Sequence, residues 1–343
     1  MADLIQQTIR LGAPPWPTVD PFLFCVHHAD AYPAGNLHLG PDADLGGRAI
    51  GQDFAAIDGW NMYHGSVVPG FPSHPHRGFE TITYVRQGLV DHADSLGAAA
   101  RYGKGDVQWM TAGKGIQHAE MFPLLDQDGP NPMELFQIWL NLPAEDKMVE
   151  PSYKMLWDHE VPRVPVDGHG EITVIAGSLP GPSGLVVPPS PAPDSWAARS
   201  DTDVALWHVR LGAGASVVLP PAAYDDTVRV LYVFDGDGVS VGGQDHDVPT
   251  GIVVDAGQEA PLAAIGDGVD VLVMQGRPIG EPVAQYGPFV MNTKAEIQQA
   301  FDDYQRDHFG GWPWDRSDPV HGRDPQRFAR HADGREELAR EAS

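Results

Sequence analysis

The chain has little with which to build thiol chemistry: its 343 residues include one cysteine, Cys25. A single thiol excludes an intrachain disulfide and a zinc site made from cysteines. Cys25 lies in the apolar run Phe22-Leu23-Phe24-Cys25-Val26, which predicts a buried small hydrophobe. Basic residues are also scarce. Lysines and arginines number 22 against 47 aspartates and glutamates, a formal net charge of -25. Such a surface repels phosphate backbones and anionic lipids, so direct contact with nucleic acid or membrane is not expected. No single run carries the charge, which reads as solubility or tolerance of salt rather than as an acidic interaction tail. Long apolar stretches are missing as well. No segment reaches ~18 apolar residues, and Met1-Ala2-Asp3-Leu4 is not a basic region leading into an apolar one. A soluble, cytoplasmic protein is the default expectation.

What is abundant is turn chemistry. The 39 glycines and 32 prolines are spread along the chain, which suits many short strands better than a helical bundle. Strand-forming runs occur at Thr81 to Val85, Val107 to Met110 and Leu135 to Leu140, and again at Val204 to Leu211, Val228 to Phe234, Gly251 to Asp255 and Val269 to Met274. A short repeat joins the two sets. Glu80-Thr-Ile-Thr-Tyr-Val-Arg-Gln-Gly88 aligns with Val228-Arg-Val-Leu-Tyr-Val-Phe-Asp-Gly236, and both end in Tyr-Val-x-x-Gly. Two similar β domains in tandem follow, spanning 1–160 and 161–290, with 291–343 as a helix and charged tail. Thr293 and Glu296 have capping-box spacing, and Ile297, Ala300, Phe301 and Tyr304 mark one helical face. Gly310-Gly311 would end that helix. Beyond roughly residue 320 the composition predicts partial disorder.

Chemistry concentrates in two segments. Phe71-Pro-Ser-His-Pro-His-Arg-Gly-Phe-Glu-Thr81 contains His74 and His76, and the stretch from Gly105 to Glu120 ends in His118-Ala-Glu120. Residues i and i+2 of a strand face the same way, so each pair can present two ligands to one side. If the two strands are neighbours, four ligands converge. Three imidazoles and one carboxylate suit Fe, Mn, Ni, Cu or Zn. A lone His-x-His is more often a turn or surface feature; two such pairs set in β patterns make a site an even proposition. Neutral imidazoles are required, so metal loss below roughly pH 6 is expected.

The runs His74-Pro-His-Arg-Gly-Phe-Glu-Thr81 and Gln108-Trp-Met-Thr-Ala-Gly-Lys-Gly-Ile-Gln-His-Ala-Glu120 resemble the two signature stretches of the pirin family, and Gln285-Tyr-Gly-Pro-Phe-Val-Met-Asn292 resembles its C-terminal domain. The resemblance covers about residues 20 to 310. It implies an all-β fold of two tandem cupin, jelly-roll-like barrels with a short C-terminal helix. It also implies one iron-type ion in the first barrel, held by His74, His76, His118 and Glu120. Glu80 is not one of the family's four ligands and is expected to support the site or the fold. His27, His28, His64 and His92 stay outside the ligand set. The segment Phe24-Cys25-Val26-His27-His28-Ala29-Asp30 departs from the family text, which leaves the substrate open. Under the repeat, Ala222 and Tyr224 fall where His74 and His76 sit, so the second barrel is expected to be metal-free.

By resemblance the activity is that of a quercetinase-like dioxygenase, opening a flavonol ring with O2, with Glu120 as the base that takes the substrate's hydroxyl proton. Phe71, Phe79, Trp109 and Met110 either face a planar substrate or fill the core. The alternative is a metal- or redox-sensing regulatory protein acting through a protein partner, since the charge opposes direct DNA contact. A third reading is a cupin isomerase or stress protein acting on another substrate.

Overall fold

The computed structural model describes residues 3–340. The chain folds into two compact units. One takes the chain up to Cys25 and then Glu160–Gly280; the other takes Val26–His159 and the chain from Glu281 onward. The contiguous boundaries expected at 160 and 290 differ from this because both ends of the chain are used as sheet edges. Ile5–Arg10 pairs antiparallel with Thr250–Asp255, and Phe328–Arg330 pairs with Ala99–Gly103.

The unit formed by Glu160–Gly280 is built on a seven-stranded sheet in the order Ile5–Arg10, Thr250–Asp255, Val228–Gly236, Gly268–Gly276, Ala205–Gly212, Gly170–Ala176, Arg163–Val166. A four-stranded sheet of Ser216–Leu219, Ala260–Ala264, Val239–Val241 and Gln244–His246 completes it. Alternate residues such as Val209, Leu211, Leu231, Val233, Val271 and Val273 bury into one core, as the period of two requires.

The other unit pairs a five-stranded sheet with a six-stranded one. The first runs Ser152–Leu156, Val107–Thr111, Phe79–Gln87, Asn131–Asn141, Phe22–Tyr32. The second runs Glu336–Leu338, Phe328–Arg330, Ala99–Gly103, Leu89–Asp94, Ile116–Met121, Gly70–His76. The repeat read from the sequence reaches into the ladder. Phe79–Gln87 and Val228–Gly236 each lie between two antiparallel partners, and each is bulged just after its Tyr-Val pair, between Val85 and Gln87 and between Val233 and Asp235. A bulge at the same offset in both strands bends both sheets at the same place.

The C-terminal helix spans Lys294–Asp307. Thr293 Oγ1 accepts from Glu296 N, and Glu296 Oε2 accepts from Thr293 N, completing the capping box. Ile297 and Ala300 bury against Phe289 and Met291. The helix stops at His308 in the left-handed region, before Gly310.

Partial disorder is not what the structure has over residues 320–340, and the last three residues of that expectation lie outside the described residues. Arg101 and Asp91 form a fully buried ion pair, and Arg101 also donates to the carbonyls of Gly322 and Asp324. Arg327 donates to Asp106 Oδ1 at 2.7 Å, and Phe328–Arg330 then pairs with the sheet. Composition missed this because the anchors are charged groups buried in the body, not apolar residues in the tail.

Candidate metal centre

The strand Gly70–His76 runs antiparallel to Ile116–Met121, with His74 directly opposite His118. A register shift between Phe71 and His74 sets this pairing. Gly70, at φ 128°, leads into the strand where a Cβ would lie 2.4 Å from the Glu120 carbonyl oxygen, so no larger residue fits. Gly78 ends the ligand segment at φ 85°, with the Val290 carbonyl where its Cβ would be.

His74, His76 and His118 offer ligand nitrogens that all lie within 4.8 Å of one another. His74 Nδ1 donates to the Pro72 carbonyl at 2.9 Å, which leaves Nε2 with its lone pair. His76 Nδ1 and both ring nitrogens of His118 are buried without a hydrogen-bond partner. Buried polar atoms left unpaired are costly, and three on converging imidazoles fit a bound cation. Burial lowers the pKa of His74 to about 4, and holds His76 and His118 well below the ordinary range with help from their neighbouring histidines. The rings are therefore neutral near pH 7, as ligands must be.

Glu120 lies beside this group, its Oε2 3.8 Å from His118 Nε2. Its other oxygen, Oε1, accepts from Thr83 Oγ1 at 3.0 Å and from Tyr102 Oη at 3.2 Å. Burial raises the Glu120 pKa, opposed by His92 and by those two hydrogen bonds. Thr83 and Tyr102 were not singled out in the sequence; they lie on strands of two different sheets, and nothing local shows that both meet Glu120. His92 stands opposite Glu120 in the ladder, its ring 5.6 Å from that of His118, and contacts Asp94 at 3.3 Å. It lies outside the converging group.

Strand parity sorts the remaining candidates. Phe79, Thr81 and Thr83 share one face of Phe79–Gln87, and Thr83 reaches Glu120 while Phe79 sits 5.1 Å from His76. Glu80 faces the other way and accepts from its cross-strand partner Thr111 Oγ1 at 2.6 Å. Trp109 pairs with Ile82 on that opposite face, whereas Trp139 pairs with Thr81 and lies 5.5 Å from His76. Of these two tryptophans it is thus Trp139, not Trp109, that takes the face of the site beside Phe79. Met110, paired with Thr81, and Gln108, paired with Thr83, also take the inward face. Both amide atoms of Gln108 are buried and unpartnered. Phe71 is half-buried, 6.5 Å from His74. His27 pairs with Glu134, and His64 with the Gly51 carbonyl.

Comparison with known proteins identifies the family. Residues 48–140 match the Pirin family, and residues 206–310 match the Pirin C-terminal cupin domain. A pirin-like protein of Caulobacter vibrioides is 39% identical over 241 residues, 70% of this chain and 80% of that one. Pirin-1 of Arabidopsis thaliana is 37% identical over 245 residues, 70% of this chain and 78% of that one. A crystal structure described as quercetin 2,3-dioxygenase from Acinetobacter baumannii superposes with a TM-score of 0.66 at 27% identity, covering 90% of this chain and 96% of that one. Two cupin units and these likenesses together make the chain a member of the pirin family.

Proposed function

We propose that this pirin-family protein is a metal-dependent dioxygenase that opens a flavonol ring, with His74, His76, His118 and Glu120 holding one divalent ion, iron in the first instance. The observation that carries the reading is the convergence of three neutral imidazoles within 4.8 Å, two of them buried with unpartnered nitrogens and His74 half-buried. The likeness to the Acinetobacter baumannii structure supports the substrate class.

When bound, the ion supplies a Lewis acid that makes a coordinating hydroxyl more acidic. The chain's own residues do the rest. Thr83 and Tyr102 donate to Glu120 Oε1, which fixes the carboxylate with Oε2 toward the imidazoles, and Glu120 would take the flavonol's hydroxyl proton. In that step the substrate O–H bond breaks and a carboxyl O–H bond forms. Phe79 and Trp139, packed 4.3 Å apart beside His76, provide an apolar wall that excludes water from a planar substrate.

No helix among the described residues is long and apolar enough to cross a membrane. The test is oxygen uptake with quercetin after reconstitution with Fe(II). We expect uptake that requires added metal and is abolished in Glu120→Ala. Full metal occupancy with no uptake on any flavonol would sink the enzyme reading and favour a regulatory role through a protein partner.

A further inference from the structure

The departing segment His27-His28-Ala29-Asp30 carries a hydrogen-bond chain that the metal chemistry does not use. His28 Nδ1 lies 2.8 Å from Tyr63 Oη, and Tyr63 Oη donates to Asp30 Oδ2 at 2.6 Å. Asp30 Oδ1 accepts from the backbone and side-chain nitrogens of Asn61, at 2.9 and 3.0 Å. Tyr63 has one proton. With Asp30 ionised, that proton goes to the carboxylate, so Tyr63 can only accept from His28, and His28 Nδ1 must carry the hydrogen. The tautomer is thereby set: Nε2 is a bare acceptor. Among the described residues it has no protein partner, and unlike His76 Nδ1 and the two ring nitrogens of His118 it belongs to a half-buried residue and is not among the buried, unpartnered atoms.

The chain is held in place by a built loop. Tyr63 sits at φ 56°, a conformation that bulky residues avoid and that persists only where the surroundings over-determine it. Here Tyr63 exchanges both backbone hydrogen bonds with Asp53, at 2.9 and 3.0 Å. Asp53 in turn accepts from Arg48, which donates to the carbonyls of Trp60 and Ile57 and lies 3.3 Å over the Trp60 ring. The next residue, His64, donates its N–H to the Gly70 carbonyl, docking the loop on the strand that carries His74.

The same loop lays an aromatic track toward the metal centre. Phe54 is 53% exposed, and its ring lies 5.5 Å from Tyr63 and 5.1 Å from His64. Phe71 follows, 5.1 Å from Tyr63, 5.7 Å from His64 and 5.8 Å from His28, and then His74 at 6.5 Å from Phe71. Exposed Ile50 and Ile57 extend the apolar character of the loop. A large exposed aromatic leading to half-buried rings and one uncommitted acceptor describes a surface for a flat ring bearing a hydroxyl.

We propose that Phe54, His64 and Phe71 receive one aromatic ring of a planar phenolic ligand, and that His28 Nε2 accepts a hydrogen bond from a hydroxyl on that ring, with Tyr63 and Asp30 as positioning residues. The proposal rests on the reading that the ligand's other end reaches the metal centre. It adds how the far end is chosen: a hydroxylated ring is held more tightly than an unsubstituted one. Burial and the neighbouring His27 lower the pKa of His28 to about 3, so protonation does not remove the acceptor at working pH. Asp30 is different. Burial raises its pKa to about 6, against the hydrogen bonds from Tyr63 and Asn61 and with Asp53 adding to the rise. Once Asp30 is protonated it can donate to Tyr63, Tyr63 to His28 Nδ1, and the hydrogen moves to Nε2. The acceptor then becomes a donor.

The test is equilibrium binding of quercetin and of unsubstituted flavone to the metal-loaded protein, read by fluorescence between pH 5 and 8. For His28→Phe, which keeps a ring, we expect quercetin to bind about tenfold more weakly, flavone to be unaffected and metal content to be unchanged. For Tyr63→Phe we expect the inflection near pH 6 seen in wild type to vanish, compared at matched pH so that the ligand's own ionisation cancels. Phe54→Ala, an exposed position, should weaken both ligands severalfold and keeps the idea testable if His28→Phe does not fold. Wild-type binding with His28→Phe and Phe54→Ala unchanged overturns this inference alone. A His28→Phe protein that loses its metal overturns it too, since the role would then be structural. No binding of either ligand to metal-loaded wild type overturns both this inference and the flavonol reading.

Discussion

His74 and His118 face each other across an antiparallel strand pair, with ring centroids 4.5 Å apart. Among the described residues His74 spends its one donor on the Pro72 carbonyl, and neither ring nitrogen of His118 has a hydrogen-bond partner, Glu120 Oε2 standing off at 3.8 Å. Metal content is the direct consequence. We predict about one equivalent of divalent metal in wild type and loss of it in His76→Ala or His118→Ala, measured by elemental analysis of protein purified without a histidine tag. Metal-free wild type after reconstitution would remove the site.

The pH behaviour follows from burial. His74 titrates at about 4 in the fold against 6.5 for an ordinary imidazole, and His76 and His118 lie well below their ordinary value. Below pH ~6.5 the unfolded chain binds more protons than the folded one. The ion-free protein is therefore expected to be most stable above that pH and to lose stability as pH falls toward 4. The same shift moves proton competition below the roughly pH 6 expected of ordinary imidazoles, so metal should survive dialysis at pH 5. Melting temperature of the ion-free protein against pH checks the first statement. Complete metal loss at pH 5.5 would contradict the second.

Thr83→Val removes one of the two donors to Glu120 Oε1 with almost no change of volume. Metal content should hold, because all four proposed ligands remain and Tyr102 still donates to Glu120 Oε1. Turnover of quercetin should fall about tenfold, the factor that ~1.4 kcal/mol produces for a lost hydrogen bond to a charged group. Unchanged turnover would mean that the orientation of Glu120 does not limit the reaction.

Arg101→Ala leaves Asp91 as an uncompensated charge in a fully buried position and unties the Gly322 and Asp324 carbonyls. The expected cost is ~3–5 kcal/mol. Thermal denaturation should show it, and limited proteolysis should cut the segment after residue 320 much faster than in wild type. A melting temperature within a degree or two of wild type, with the tail still protected, would show that the pair does not anchor it.

What the sequence determined by itself was local. The pleat of a strand turns His74-x-His76 and His118-x-Glu120 into same-side pairs wherever those strands lie, and Thr293 with Glu296 makes a cap whatever the helix packs on. The repeat was legible because Tyr-Val-x-x-Gly encodes a bulged strand, and the bulge recurs at Val85/Gln87 and Val233/Asp235.

What only the tertiary structure decided depends on register between strands far apart in the chain. Both Trp109 and Trp139 lie in strands, but pairing with Ile82 turns the first away from the site and pairing with Thr81 turns the second toward it. A slip of one residue would exchange them, and nothing local records which register holds. The tail was misjudged for a related reason: its order comes from Arg101 and Asp106, more than 200 residues earlier. The His28–Tyr63–Asp30 chain was out of reach in the same way, because a tyrosine 33 residues from its carboxylate becomes its donor only when a loop fixes its backbone in the left-handed region.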